Sequence, residues 1–352
     1  MIDLAELGFD AIRAPDSSFH EASCRRLDSL TKPLGALGRL EALAAQVCAM
    51  QRTLEPAIID PVAIVFAADH GVADRGVSAY PRAVTREMVK NFLAGGAAIN
   101  VLAGFDEMEL WVVDAGVDGE CAAHPRLIGA KIRAGTRDFT AEPAMTRAEC
   151  RAALAAGRRI AAELSGPRGN ALVLGEMGIG NTASSALLMH VLTGQELALC
   201  VGRGTGLDDA GVARKQAVLA EAAARTAPPE DPFELLCEFG GYEIAMLTGA
   251  MLGAASRRQL ILVDGFTVTA AAALAARADA NVLGYCVFGH CSAENAHREL
   301  LQHLGVRPLL DLGMRLGEGS GAALALPLVR AALALFGQMA TFEGAGVSQK
   351  IA

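Results

Sequence analysis

Short apolar runs, each followed by a cluster of glycine and polar residues, recur along this chain and strongly restrict its fold. Segments of helical composition separate the runs, a pattern typical of βα units that build a parallel sheet. The six runs are Val62–Ala68, Leu110–Val113, Ala171–Leu174, Leu260–Val263, Val282–Phe288 and Pro308–Leu310. The clusters after them read ADHGV, DAGVD, GEMGIGNT, DGFT, GHCS and DLGMRLGEGSG. Since ligands of open parallel sheets bind beyond the carboxyl ends of the strands, these clusters predict where a site assembles.

Helical patterns at the two ends of the chain predict a second, smaller unit. Gly35–Arg52 has leucines at helical spacing behind Pro33, and Gly321–Met339 is an apolar helix that we expect Pro327 to interrupt. The two ends could pack together as a helical cap. We therefore expect an α/β fold with a large domain at residues 55–325 and a small helical domain made of residues 1–54 and 326–352.

Composition limits the partners. Hydrophobic residues make up 52% of the 352 residues and aromatic ones only 5%, so burial depends on small and aliphatic side chains packed closely. The apolar excess predicts a homo-oligomer. A net charge of −8 without a dense Lys/Arg run argues against nucleic acid and anionic membranes as partners.

Targeting signals and cysteine spacing bear on the compartment. The first residues do not resemble a signal peptide, and charges interrupt the long apolar runs before about 18 residues, so we expect neither export nor a membrane span. The eight cysteines lack paired or zinc-finger spacing. They are typical of the reduced thiols of a cytoplasmic protein.

Two glycine-rich loops are candidates for binding a phosphate. In LVLGEMGIGNTASSALLMH a loop joins a strand to a helix start, where Asn181 or Thr182 is placed to cap the helix and free N–H groups suit an anion. The loop VGRGTGLDDAGVARK adds three glycines, with Lys215 about two turns into the next helix. A tight structural turn would also explain the first loop, and a solvated helix face would explain Lys215 alone. Together the loops favour a phosphorylated ligand.

The acidic and histidine residues do not form a metal motif. Asp208 and Asp209 follow a glycine loop rather than a strand, unlike the acidic motif of enzymes that use phosphoribosyl pyrophosphate. His70 and His290 lack a repeated ligand spacing, so hydrogen-bonded structural histidines are favoured over metal ligands. We expect no metal and no cofactor.

Glu318 is the sharpest candidate for catalysis. It stands between two glycines in LGMRLGEGSGAALAL, and glycines allow a substrate to approach closely. Its apolar neighbours disfavour the charged form, which is how a general base is tuned. A solvated turn is the alternative. Asp264 and Glu176 stand at equivalent strand ends, where each could bind ribose hydroxyls, support the site or cap a helix.

The segment GVSAYPRAVTREMVKNFLAGGAAINVL joins the first strand to a long helix. Tyr80 and Pro81 with Met88 could form a flat slot for an aromatic ring. They could equally be a helix start with its core face. The residues alone thus indicate a phosphate, a ring and a base.

Taken together, these segments resemble the nicotinate-nucleotide:dimethylbenzimidazole phosphoribosyltransferase family of cobalamin biosynthesis. The matching stretches are LTKPLGALGRLE, ADHGV, GVSAYP, FLAGGAAINVLA, GEMGIGNTASSA, GRGTGLDD, EFGGYEIAML, VDGF, GHCSAE, DLGMRLGEGSGAALALP and MATFEGAGVS. They follow the family's order over nearly the whole chain. The resemblance implies transfer of ribose 5-phosphate from β-nicotinate mononucleotide to 5,6-dimethylbenzimidazole, which gives α-ribazole 5′-phosphate and nicotinate.

The resemblance also implies an architecture and a set of site residues. It implies a homodimer with a Rossmann-like large domain and a small helical domain built from both termini. The family's general base falls on Glu318. Its nucleotide contacts fall on Glu176, Gly178, Gly204, Lys215, Asp264 and Ser292. Its benzimidazole pocket falls on Ser78, Tyr80, Met88 and Leu316.

One position departs from the family. Glu87 stands where members commonly carry Gln, which puts the preferred acceptor base in doubt. Three other functions compete with the implied one. They are a transferase for a purine or a phenol, a nucleotide-binding regulator without turnover, and a nicotinamide dehydrogenase. Glu318 argues against the regulator, and the missing G-x-G-x-x-G after an early strand argues against the dehydrogenase.

Overall fold

The computed structural model describes residues 4–204 and 206–348, and a six-stranded parallel sheet forms its centre. In chain order the strands are β1 Val62–Ala68, β2 Glu109–Gly116, β3 Leu127–Gly129, β4 Ala171–Met177, β5 Leu260–Val263 and β6 Cys286–Phe288. They lie side by side in the order β3-β2-β1-β4-β5-β6. This is the Rossmann order. Successive strands are added on one side of β1 and then, from β4 onward, on its other side, and a crevice opens between β1 and β4, where the order reverses. The predicted α/β, Rossmann-like fold is confirmed.

Helices flank this sheet. In the described ranges they are α1 Ser17–Ser29, α2 Arg39–Gln51, α3 Ala83–Leu93, α4 Ala98–Phe105, α5 Arg147–Ser165, α6 Asn181–Thr193, α7 Leu197–Cys200, α8 Asp209–Arg225, α9 Pro232–Phe239, α10 Tyr242–Ser256, α11 Phe266–Ala278, α12 Asn295–His303, α13 Ser320–Gln338 and α14 Phe342–Ala345. α10 packs between α5 and α11 and contacts four strands. α13 contacts α2, α4, β4 and β5.

Close backbone contact between helices explains the composition. A Cβ atom on Gly249 of α10 would lie 2.0 Å from the carbonyl oxygen of Leu154, and one on Gly157 of α5 would lie 1.9 Å from that of Met246. Only glycine permits this approach. The expectation of small residues packed at short backbone distances is therefore confirmed.

Four of the six predicted strands are confirmed as β1, β2, β4 and β5. They could be predicted because buried parallel strands are continuous apolar runs. The predicted run Val282–Phe288 is only partly right. Its first residues belong to a 3-10 helix, Ala280–Tyr285, which Asp279 caps by accepting a hydrogen bond from the N–H of Asn281.

Two further strand predictions are corrected. Pro308–Leu310 is not a strand: Leu310 forms an isolated bridge with His290, and Pro308 has no N–H to donate to a ladder. The edge strand β3 escaped prediction because it has three residues, none of them fully buried.

The expected break in the last helix is also wrong. α13 runs without interruption from Ser320 to Gln338, with Pro327 inside it. Proline removes one backbone donor, but the helix keeps a buried apolar face on both sides of it, including Leu326, Val329 and Phe336.

The two ends of the chain meet, as the sequence predicts. Leu30 pairs with Thr341 in an antiparallel bridge, and the N–H of Thr31 donates to the carbonyl of Ala340 at 3.0 Å. α2 packs on both α1 and α13. The same buried cluster includes side chains of these helices and of the sheet. The division into residues 55–325 and 1–54 with 326–352 stays a prediction, and residues 1–3 and 349–352 lie outside the described ranges.

Two helical stretches, Ala83–Phe105 and Ser320–Gln338, are long and apolar enough to cross a membrane by length and composition alone. The core helix of a water-soluble protein passes the same test, and 56% of an 18-residue apolar window in the second stretch is buried inside the fold. The expected absence of a membrane span therefore stays a prediction.

Candidate active site

A cavity opens at the carboxyl ends of β4 and β5, next to the reversal in strand order. Residues 176–182, 265–267, 290–294 and 315–317 contribute to its wall, together with Gly204. Five of the predicted site residues line it: Glu176, Gly178, Gly204, Ser292 and Leu316. Four of the six predicted clusters therefore meet at this cavity: those after β4, β5 and β6, and DLGMRLGEGSG.

The loop GEMGIG turns from β4 into α6. The N-cap of α6 is Gly180, with a left-handed φ of 100° and no side-chain cap, so the expected cap by Asn181 or Thr182 is wrong. The Asn181 side chain instead donates a hydrogen bond to Glu176. This leaves an uncapped helix N-terminus at the cavity, an arrangement that suits an anion.

Lys215 is fully buried below this helix start. Its Nζ donates to Thr182 Oγ1 at 2.8 Å and to the carbonyl of Gly202 at 3.4 Å. The solvated-face explanation of Lys215 is therefore wrong. Burial lowers the pKa of Lys215 to about 8, against the opposing effect of the Glu294 carboxylate. An anionic group at the cavity would favour the charged ammonium.

Glu318 lies on a turn beside the cavity and is 5% exposed, which excludes the solvated-turn alternative. The backbone N–H of Ile99, in the first turn of α4, hydrogen-bonds to its carboxyl group. Its Oε2 has no hydrogen-bond partner in the described part of the chain. Burial, and after it the charge of Asp264, raises the pKa of Glu318. The side chain is thus a buried carboxyl with one free oxygen and a raised affinity for a proton.

Glu176, at the end of β4, is half-buried. Burial raises its pKa to about 8, with further contributions from Asp264, Glu243 and Glu318. At neutral pH Glu176 therefore carries a proton for most of the time. A protonated carboxyl can donate a hydrogen bond into the cavity, which the neighbouring carboxylates cannot.

Asp264 follows β5 and is fully buried. Its Oδ2 accepts from the N–H of Gly319 at 3.0 Å, and its Oδ1 accepts from Gly321 at 2.7 Å and Ala322 at 3.1 Å. It therefore caps the start of α13, one of the roles that the sequence left open.

The histidines are engaged in buried contacts. His70 Nε2 lies 2.6 Å from Glu243 Oε1, with both side chains fully buried. His290 Nε2 lies 3.5 Å from Asp264 Oδ1. Within the described ranges no three His, Cys, Asp or Glu side chains are grouped to hold a metal ion. The structural interpretation of His70 is confirmed, and metal-free chemistry stays a prediction.

The residues predicted to bind an aromatic ring are less buried than those predicted to bind the nucleotide. Tyr80 is 51% and Leu316 is 55% exposed. Met88 and Ser78 are half-buried, and Glu87 is exposed on α3. α3 contacts the cavity loop through Thr85, whose Oγ1 accepts from the N–H of Ile179 at 3.1 Å. Leu316 lines the cavity, whereas the placement of Ser78, Tyr80, Glu87 and Met88 in a ring pocket stays a prediction.

Sequence reasoning overlooked two charged residues of the cavity wall, Glu294 and Arg315, and it gave Thr182 the wrong role. Thr182 accepts from Lys215, Glu294 acts on the pKa of Lys215, and Arg315 donates to the carbonyl of Gly204 at 3.4 Å. A cation inside the glycine cluster DLGMRLGEGSG was the available signal for Arg315. Glu294 lacks such a signal, and the contact of Thr182 with Lys215 could not be predicted, because Lys215 is distant in sequence from both residues.

Comparisons with known proteins agree on one family. A phosphoribosyltransferase family model matches residues 12–347. A nicotinate-nucleotide:dimethylbenzimidazole phosphoribosyltransferase from Cupriavidus necator is 53% identical over 340 residues, covering 97% of this chain and 98% of that protein. One from Ralstonia nicotianae is 55% identical over 340 residues, covering 95% and 96%. The crystal structure of the enzyme of that name from Thermus thermophilus matches with a TM-score of 0.91 at 43% identity, covering 95% of this chain and 100% of that one.

The raised pKa of Glu176 predicts a pH-dependent stability. The folded protein keeps a proton between about pH 4.5, the ordinary pKa of a Glu, and about pH 8, whereas the unfolded chain releases it. Stability from this group therefore falls as pH rises through that window. Relative to the wild type, Glu176→Gln should gain free energy of unfolding between about pH 5 and about pH 8 in urea titrations. Glu21→Gln, on the exposed face of α1, is the control, and parallel curves for all three proteins would contradict the assignment.

Proposed function

This chain belongs to the nicotinate-nucleotide:dimethylbenzimidazole phosphoribosyltransferase family, and from that membership we propose how its residues carry out the reaction. The enzyme transfers ribose 5-phosphate from β-nicotinate mononucleotide to 5,6-dimethylbenzimidazole. The products are nicotinate and α-ribazole 5′-phosphate, which supplies the lower nucleotide loop of cobalamin.

The observation that carries the mechanism is the state of Glu318. Its carboxyl is buried beside the cavity, and Oε2 lacks a hydrogen-bond partner in the described ranges. A general base needs both a free lone pair and a raised proton affinity. Glu318 combines them at the end of the sheet where the substrates must meet.

The transfer reaction needs few catalytic groups besides this base. Nicotinate bonded to ribose is a pyridinium-type cation, so the bond from C1′ to nitrogen breaks with its electron pair moving onto the ring nitrogen. One nitrogen of the benzimidazole attacks C1′ from the opposite face, which converts the β bond into an α bond. Positive charge then makes the N–H on the other nitrogen acidic, and Glu318 takes that proton. Orientation of the two rings around one sugar supplies much of the remaining acceleration.

The nucleotide occupies the cavity between β4, β5 and the glycine loops. The 5′-phosphate is held by Lys215, Thr182 and the amides at the start of α6. Gly178, Gly204 and Ser292 line the cavity around the nucleotide. Glu176 carries a proton at neutral pH and donates to a ribose hydroxyl. The resemblance adds Asp264 to the nucleotide contacts.

The acceptor ring lies on the open side of Glu318. Leu316 and Tyr80 are large side chains left exposed, and they gain an apolar partner when a planar ring covers them. Met88 and Ser78 complete the pocket, and Glu87 lies near its rim on α3. This half of the site decides which base is accepted.

The assembly and the compartment are part of the same proposal. We infer a homodimer that works in the cytoplasm without a metal or cofactor. We infer that neither nucleic acid nor a membrane is its partner. Support for the dimer comes from α4, where Val101 is 69% and Phe105 is 77% exposed. Large apolar side chains exposed on adjacent turns are typical of a subunit interface.

The proposal is tested by incubating the purified enzyme with nicotinate mononucleotide and dimethylbenzimidazole in the presence of EDTA. We expect mass spectrometry to find equal amounts of nicotinate and α-ribazole 5′-phosphate. Turnover only with a purine or a phenol would favour the rival transferase, and binding without product would favour the regulator. Loss of activity in EDTA that magnesium restores would overturn the metal-free mechanism.

Glu318→Gln keeps size and hydrogen bonding but removes the proton acceptor. Positioned bases contribute about 10²–10⁴-fold, so kcat should fall by that factor. Calorimetry should find the affinity for nicotinate mononucleotide nearly unchanged. Glu21→Gln, the same change on exposed α1, should keep the wild-type rate. Full turnover of Glu318→Gln would leave the base unassigned.

Lys215→Met keeps the length of the stem but removes the ammonium. Affinity for nicotinate mononucleotide should fall by about 1.5–3 kcal/mol, the scale of a charge-assisted hydrogen bond. Affinity for unphosphorylated nicotinate riboside should change much less, because the lost partner is the phosphate. Equal losses for the two ligands in calorimetry would remove Lys215 from the phosphate site.

Glu87→Gln restores the amide common in the family. If Glu87 borders the ring pocket, this variant should change the ranking of acceptors in a kcat/KM panel of benzimidazoles and adenine. Affinity for nicotinate mononucleotide should stay constant, since α3 lies on the acceptor side. Identical rankings for the two proteins would place residue 87 outside the pocket.

A further inference from the structure

The turn that carries Glu318 has an unusual backbone. Three consecutive residues adopt left-handed conformations, with φ of 86° at Gly317, 64° at Glu318 and 90° at Gly319. Glycine adopts this region freely, but a residue with a Cβ atom does so at an energetic cost. Such a conformation persists only where the surroundings hold it. Something must therefore fix the turn at Glu318.

Asp264 is the side chain placed to do this. Its two oxygens accept three hydrogen bonds from backbone amides, those of Gly319, Gly321 and Ala322. Gly319 is the residue directly after Glu318. The carboxylate comes from the end of β5, so it ties the turn and the start of α13 to the rigid sheet.

Charge and burial make this attachment strong. Asp264 is fully buried, and a carboxylate that accepts from several amides makes charge-assisted hydrogen bonds. The N-terminus of α13 adds a favourable dipole. His290 Nε2 lies 3.5 Å from Oδ1.

We propose that Asp264 is a positioning residue, whose buried carboxylate holds the strained turn so that Glu318 faces the acceptor base. The inference rests on the proposed role of Glu318. It differs from the nucleotide contact that the family resemblance implies, since a fully buried carboxylate with three amide donors has little capacity left for a ligand.

The test is a double-mutant cycle on the full-length enzyme with Asp264→Asn and Glu318→Gln. An asparagine presents an N–H₂ group to at least one of the three amides, so the turn loses part of its attachment. We expect kcat of Asp264→Asn to fall about 10–100-fold, the scale of a misplaced catalytic group, with the affinity for nicotinate mononucleotide changed less than about twofold. The double variant should be no slower than Glu318→Gln alone, because Asp264 acts through Glu318.

The alternatives give different results. A contact to ribose predicts a large loss of mononucleotide affinity in Asp264→Asn, and a purely structural role predicts that its kcat factor multiplies with that of Glu318→Gln. Either result, or an unchanged kcat, overturns the proposal. If Glu318→Gln alone keeps full turnover, the proposed base is wrong instead. Asp231→Asn, the same change at the N-cap of α9, is the matched control and should keep wild-type kcat.

A second variant keeps the proposal testable if Asp264→Asn does not fold. Gly319→Ala leaves Asp264 intact but places a Cβ atom at φ 90°, 3.2 Å from the Cα of Gly175. It should disturb the same turn and lower kcat without weakening mononucleotide binding. Its effect should also disappear in the Glu318→Gln background, and a loss that persists there would contradict the positioning role.

Discussion

The turn at Glu318 lies with its backbone directly against strand β4, and this contact depends on Gly175. A Cβ atom at residue 175 would be 2.3 Å from the carbonyl oxygen of Glu318, a distance that no side chain tolerates. The strand thus passes close enough to bring Glu176, its next residue, beside the turn. Glu318, the cavity and the start of α13 all take their positions from this approach of two backbones.

Acidic groups crowd the same end of the sheet, and main-chain amides make this possible. Glu318 accepts from the first turn of α4, and Asp264 accepts from the first turn of α13. The positive ends of two helices therefore stabilise negative charge in a place that burial would otherwise disfavour. Glu176 accepts a hydrogen bond from the Asn181 side chain, but burial and the nearby acidic groups outweigh it and raise the pKa of Glu176 to about 8. Burial also raises the pKa of Glu318, so the amide of Ile99 offsets only part of the cost of burying that carboxyl group.

Local sequence patterns could predict what depends on neighbours along the chain. The strands β1, β4 and β5 are apolar runs because both of their faces are covered, and the glycines around Glu318 mark a backbone that must bend through left-handed conformations. The burial of Lys215 could not be predicted, because its partner Thr182 comes from another loop and α8 alone suits a solvated helix. The cap on α13 was equally hidden, since Asp264 precedes Gly321 by 57 residues. Such roles arise from the order of strands in the sheet, which no local pattern encodes.

The two halves of the proposed site differ in how they are built. The nucleotide half is formed by strand ends, helix starts and the buried Lys215, so its geometry is fixed by the core. The proposed acceptor half consists of side chains on α3, on the segment before α3 and on the loop before Glu318, and Tyr80 and Leu316 are exposed. Exposed apolar side chains can be exchanged at little cost to the core, whereas changes at buried charges cannot. If the proposed site is correct, substitutions in the acceptor half alter which base is accepted without disturbing the buried groups that hold the ribose phosphate.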